Sequence, residues 1–185
     1  LISEDYRKQQ QAMHNSKKIN YGTVGEKYGE TVGQMVDVME IDHLLDYGCG
    51  KNLSLKKTLK PERNFIYQAY DPGVSQYADD PIPAQMVVAI DILEHIEPEC
   101  LEEVLDHLED LTEKVLFATV HTGPAGKKLP DGRNAHLIQK PYDWWLPLFI
   151  DRFQLQGFHM RGNGFEVILL AHDYDSGIGA INGAD

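Results

Sequence analysis

Leu44-Leu45-Asp46-Tyr47-Gly48-Cys49-Gly50-Lys51-Asn52 is the stretch from which the fold of this chain can be read. Two apolar residues run into an acid, and a Gly-x-Gly turn follows at once. Leu53-Ser54-Leu55-Lys56-Lys57 then begins a helical pattern. The order predicts the first strand, tight turn and first helix of an α/β nucleotide-binding sheet. Glycines in such a turn adopt positive φ and let the backbone approach a ligand. Ligands of open α/β sheets sit outside the carboxyl ends of the strands, where this turn lies. Two familiar fingerprints fail here. The dinucleotide pattern needs a third glycine where Leu53 stands. The P-loop needs glycine at Leu45 and a hydroxyl at Asn52.

Leu-Asp-x-Gly-Cys-Gly resembles motif I of the class I methyltransferases that use S-adenosylmethionine. In that family the glycine turn wraps the methionine half of the cofactor, and the acid anchors it through polar contacts. The usual third glycine is Asn52 here. Further along, Asn64–Tyr70 reads as the second strand and ends in Asp71-Pro72-Gly73. A carboxylate at that position can accept hydrogen bonds from both ribose hydroxyls. Asp-Pro-Gly is also good turn chemistry, and the resemblance favours ribose.

Gln85–Ile90 is a near-continuous apolar run, as a buried parallel strand requires. It leads into Asp91-Ile92-Leu93-Glu94-His95, which resembles the Asp-x-Leu-Glu-His motif of many small-molecule class I methyltransferases. The resemblance thus implies cofactor contacts from Asp46, Gly48, Cys49, Gly50, Asp71, Pro72, Asp91 and Ile92. Only twenty positions separate Asp71 from Asp91, and the interval is rich in proline and acid. The third strand of the full fold and its helix have no room, and are expected to be reduced to a loop. Tyr77 and the Asp79-Asp80 turn are then candidates for the adenine pocket.

Pro98 suits the first turn of a helix. Leu101, Val104, Leu105, Leu108 and Leu111 give that helix its apolar stripe. Lys114–Val120 is the next strand. Two closing strands, about 152–160 and 164–171, turn at Gly162-Asn163-Gly164, good hairpin chemistry. The predicted architecture is α/β: a Rossmann-like methyltransferase sheet with helices on both faces and a C-terminal antiparallel hairpin. Residues 1–40 form an N-terminal helical segment or lid, with Ser3 as N-cap and a helix over about 26–39. Residues 41–172 are the methyltransferase domain, and 173–185 a flexible tail. Tyr21 and Tyr28 either pack against the sheet or cover the cofactor.

The long connection His121–His136 leaves a central strand and should face the cofactor. Such loops are uncommon unless functional. Its alternative is a solvent loop around the Asp131-Gly132 turn. Histidine titrates near neutrality and suits removal of a proton from a hydroxyl acceptor. His95, then His136 and His121, are the candidate bases, with Glu94 beside them. Lys127, Lys128 and Arg133 form a basic cluster on an acidic chain, so Arg133 is the candidate for holding an anionic substrate. Trp144 and Trp145 either pack on the sheet or offer a ring face to the acceptor.

A net charge of -12 argues against a broad phosphate-binding surface. Two cysteines make no disulfide framework, and no apolar run reaches membrane-spanning length. A cytoplasmic enzyme acting on a small hydroxylated molecule, such as a sugar or nucleotide-linked sugar, without a metal ion, is the expectation. Two other readings stand beside it. Asp91, Glu94, His95 and His136 resemble the Glu-x-x-Glu-His plus distant His of the metal-dependent small-RNA 3′-end methyltransferases, with Asp91 in place of the first Glu. The altered motif I and the missing strand would also suit a non-catalytic S-adenosylmethionine-binding or partner protein.

Overall fold

The computed structural model describes residues 1–16 and 23–174. Tyr21, and the tail expected over 173–185 beyond Tyr174, lie outside the described residues. Among the described residues six strands form one sheet: β1 His43–Tyr47, β2 Ile66–Tyr70, β3 Ala84–Ile90, β4 Thr112–His121, β5 Phe153–Arg161 and β6 Gly164–Ala171. Their order across the sheet is β2-β1-β3-β4-β6-β5. The first four are parallel, and β6 and β5 close the sheet as an antiparallel hairpin.

No strand follows β2 until β3. Residues 72–83 contain only a short 3-10 turn, Ser75–Tyr77. The third strand of the full fold is therefore absent, as the short interval predicts. β2 becomes an edge, and its Ile66 is exposed. The central strands explain their own sequences. β3 is covered on both faces, so Met86, Val87, Val88 and Ala89 are all fully buried.

Alternation along the strands divides the core in two. On one face Leu45, Val87, Leu116 and Val167 meet helix α4, Leu101–Leu111, and helix α5, Tyr142–Ile150. The stripe read from the sequence, Leu101 through Leu111, is the buried side of α4. On the other face Leu44, Met86, Val88 and Phe117 meet helix α2, Gly29–Val38, and helix α3, Ser54–Thr58. The single helix expected over 26–39 is instead a 3-10 turn, Val24–Lys27, followed by α2. Tyr28 sits at the break and packs its ring on Phe117, with centroids 5.7 Å apart.

Helix α1, Glu4–Asn15, is capped as predicted: the Ser3 side chain accepts from the Tyr6 amide. It lies outside both cores, across the carboxyl ends of the strands. Ser3 Oγ donates to Glu97 Oε1 at 2.7 Å, and the Ser3 amide donates to Glu97 Oε2 at 2.8 Å. The Tyr6 hydroxyl donates to the His95 carbonyl, and its ring is buried with Leu129 and Ala135 of the long loop. No helix among the described residues is long and apolar enough to cross a membrane.

Candidate active site

The carboxyl ends of β1, β2, β3 and β4 open into a cavity of about 540 Å³. Helix α1, the turn after β1 and the long loop after β4 complete its walls. All eight residues that the resemblance assigned to the cofactor line it. Gly48 has φ +79, and a Cβ there would lie 2.4 Å from Ile92 Cγ2. The turn after β1 thus touches the segment after β3, and only glycine fits. Leu53, where a third glycine was missed, adopts φ +46 as it leads into α3.

Asp71 is buried and holds the turn from below. Its Oδ2 accepts from the Gly50 amide at 2.9 Å, and its Oδ1 from the Gly73 amide at 2.8 Å. Burial pushes its carboxyl up, while nearby His14 and the two amides favour the charged form. Asp46 is buried beside it and accepts from the Tyr67 hydroxyl. Burial raises the Asp46 carboxyl to about 7, against the pull of that hydrogen bond. Cys49 is a buried thiol pushed upward by the same desolvation, so it is inert rather than nucleophilic. Asp91 takes φ +49 at the end of β3; its amide and carboxylate are both tied to Thr119.

Three histidines gather at the opposite wall. The His95 and His136 ring centroids are 4.7 Å apart, and those of His121 and His136 are 4.9 Å apart. His95 Nδ1 lies 2.7 Å from the Ala135 carbonyl, and His136 Nδ1 lies 2.7 Å from the Gly123 carbonyl. A carbonyl only accepts, so each Nδ1 carries the proton and each Nε2 the lone pair. Burial, then neighbouring His136, lowers His95 to about 4. Burial also lowers His136. Glu94 is fully buried behind them. Its Oε1 accepts from the His121 amide at 2.9 Å, and its carboxyl is raised well above the usual range by desolvation.

The long loop is fixed by Asn134, which sequence reading missed. Its Oδ1 accepts from the Ala125 and His136 amides, and its Nδ2 donates to the Ala125 carbonyl, each at 2.9 Å. That clamp sets His136 against the other rings. Arg133 does not reach the cavity: it is exposed and paired with Asp131 across the loop tip, Nε to Oδ2 2.8 Å. Lys127 lines the cavity, while Lys128 does not. Trp145 is fully buried against Phe149, with its indole donating to the Lys140 carbonyl at 3.2 Å. Trp144 lies beside Lys140 on the outer side of α5. Neither tryptophan lines the cavity, because α5 packs on the sheet face rather than at the strand ends. Tyr77, Asp79 and Asp80 are outside it as well. The wall beside Asp71 is supplied instead by Gln10 and His14 of α1. Neither residue shows a binding motif in the sequence.

No family profile and no curated protein match this chain. Solved structures do. A methyltransferase of Burkholderia thailandensis, solved with 1,6-didemethyltoxoflavin and S-adenosylhomocysteine, superposes with a TM-score of 0.63. It shares 11% identity over 94% of this chain and 92% of its own. The complex of DhpI with S-adenosylhomocysteine gives 0.59, at 11% identity over 93% and 100% of the two chains. This chain has the class I methyltransferase fold. An O-methyltransferase family protein from Burkholderia thailandensis also aligns, with TM-score 0.56 and 15% identity over 80% of this chain. The chain spans only 58% of that larger protein.

Proposed function

We propose that this methyltransferase-fold chain moves the methyl group of S-adenosylmethionine to a small hydroxylated acceptor. One observation carries the reading: the glycine turn with Asp71, and the histidine cluster, line opposite walls of the same cavity. The residues suit the cofactor. Gly48 and Gly50 leave bare backbone at the turn, and the buried Asp71 carboxylate is aimed into the cavity by two amides. When bound, S-adenosylmethionine supplies an electrophilic methyl on its sulfonium.

The chain's part is to bind, orient and take a proton. Asp71 would hold the ribose hydroxyls, and Asp46 the methionine half. Helix α1, with Gln10 and His14, acts as the lid over Asp71 and excludes water. A histidine pushed down to about 4 is a weak base, so His95 gives way to His121 and His136 as acceptors of the hydroxyl proton. An anionic acceptor would have Lys127, not Arg133, as its cationic contact. Two lining lysines, Lys27 and Lys127, on a chain of net charge -12 give little support to an RNA substrate.

Calorimetric titration with S-adenosylhomocysteine, followed by a methyl-transfer assay on a panel of sugars, nucleotides and aromatic hydroxyl compounds, tests this. Saturable binding and a methylated hydroxyl are expected. Failure of S-adenosylhomocysteine to bind the folded chain overturns the reading.

A further inference from the structure

A second cavity, of about 470 Å³, adjoins the first where β4 meets β6. Val24, Lys27, Asp91 and His121 line both. Thr31, Arg161 and Phe165 belong to the second alone. Nothing in cofactor binding accounts for this outer part.

The cation there is built into the hairpin. Arg161 ends β5 opposite Gly164, so Glu166 lies two residues further along β6 on the same face. Glu166 is buried, and its carboxylate accepts from Arg161 Nε at 3.0 Å and from Nη2 at 2.9 Å. This pair fixes the guanidinium and occupies one of its edges. The other edge, Nη1 with the second N–H of Nη2, has no hydrogen-bond partner among the described residues. It is a fork of the shape that a carboxylate or phosphate fills. Lys27, exposed at the end of the 3-10 turn, adds a cation at the border between the cavities. Asp91 stands at the same border, its amide and carboxylate both tied to Thr119. An anionic group therefore fits the outer end against Arg161 and is repelled from Asp91. A hydroxyl fits the inner end, beside His121.

We propose that the second cavity is the acceptor subsite, in which Arg161 and Lys27 select an acceptor bearing a carboxylate or phosphate at the end away from its reacting hydroxyl. The volume suits a small molecule. Val24, Val120 and Phe165 offer apolar walls to the carbon frame between the two ends. Lys127 lines the first cavity alone and meets only the part of the acceptor that enters it. The anion site stands on these side chains; its role as acceptor subsite rests on the proposed methyl transfer.

The test titrates the full chain by calorimetry, with and without saturating S-adenosylhomocysteine, using matched probes. These are 3-hydroxybenzoate against 3-hydroxybenzyl alcohol, glucose 6-phosphate against glucose, and uridine monophosphate against uridine. The carboxylate and phosphate arms separate the two anion chemistries. At least one anionic member should bind roughly tenfold or more tightly than its neutral partner, as hydrogen bonds to a charged group allow. In Arg161→Gln that preference should fall to within about threefold, while S-adenosylhomocysteine affinity also stays within about threefold and reports the fold. Lys27→Met should lower the preference too, and decides the matter should Arg161→Gln fail to fold. No preference for any anionic member, or a preference that survives in the folded variant, overturns the inference. A chain with an Arg161-dependent anion preference that never binds S-adenosylhomocysteine keeps the anion site and refutes the methyl transfer.

Discussion

Nε2 of His14 lies 3.8 Å from Oδ2 of Asp71, so the N-terminal helix touches the acid that closes the second strand. The same Oδ2 accepts from the Gly50 amide. One carboxylate therefore ties helix α1, the glycine turn and the end of β2 together. Burial lowers His14 while Asp71 pulls it back up.

Asp71→Ala removes the acceptor of two backbone amides as well as the proposed ribose contact. S-adenosylhomocysteine affinity should fall by about 1.5–3 kcal/mol, the scale for hydrogen bonds to a charged group. Calorimetry on the folded variant measures it. Unchanged affinity would remove Asp71 from the cofactor site.

Gly48→Ala introduces two separable faults. The Cβ would meet Ile92 Cγ2 at 2.4 Å, and the backbone would keep its φ of +79. The strain of positive φ alone is worth about 1–2 kcal/mol. The variant should lose more stability than that in urea unfolding, and should lose cofactor binding. Adding Ile92→Ala relieves the clash but not the backbone strain. The double variant should recover part of the loss beyond the sum of the single effects, which a double-mutant cycle reads directly. Strict additivity would mean that the two residues do not press on one another.

The glycine turn, the acid after β2 and the Asp-x-Leu-Glu-His segment were legible because each lies within a short run and follows a recognisable strand. The missing third strand was legible by chain length alone. The wall that helix α1 supplies beside Asp71 was less so. Tyr6, Gln10 and His14 come from a polar amphipathic helix whose sequence says only that it is a helix. What places it is Glu97, more than ninety residues away, clasping Ser3. Asn134 reads as one more polar loop residue until its three hydrogen bonds are seen. Arg133 misled because a charge in a functional loop does not reveal which way its side chain turns. Here Asp131, two residues away, captures it. Trp144 and Trp145 misled for another reason: large rings follow the largest apolar surface available, and that is the sheet face rather than the strand ends.

Ser3→Ala tests whether α1 matters to the cavity. It removes the helix N-cap and the side-chain hydrogen bond to Glu97 Oε1. A lost cap is worth about 0.5–2 kcal/mol of stability. If α1 is the lid, S-adenosylhomocysteine should also dissociate faster, by stopped-flow or surface binding. A variant less stable but unchanged in dissociation rate would make α1 a scaffold and not a lid.

The buried acid at the end of β1 gives the apo protein a pH dependence with a defined sign. Asp46 has a usual carboxylate value when unfolded and is raised to about 7 when folded. Between those two values the folded state holds a proton that the unfolded state has released. Unfolding then sheds protons, so stability falls as pH rises through this window and levels off above about 7. Asp46→Asn keeps the shape and an oxygen for the Tyr67 hydroxyl, without the ionisation. Urea unfolding of the apo chain at pH 5 and pH 8 should show the unmodified protein losing more stability than the variant over that interval. The loss attributable to Asp46 should be on the order of a few kcal/mol. The raised Glu94 carboxyl adds a change of the same sign to both proteins and cancels in the difference. If the variant and the unmodified chain lose stability equally between the two pH values, Asp46 is ionised in the folded protein. Its burial beside Tyr67 would then be compensated by hydrogen bonds and not by a proton.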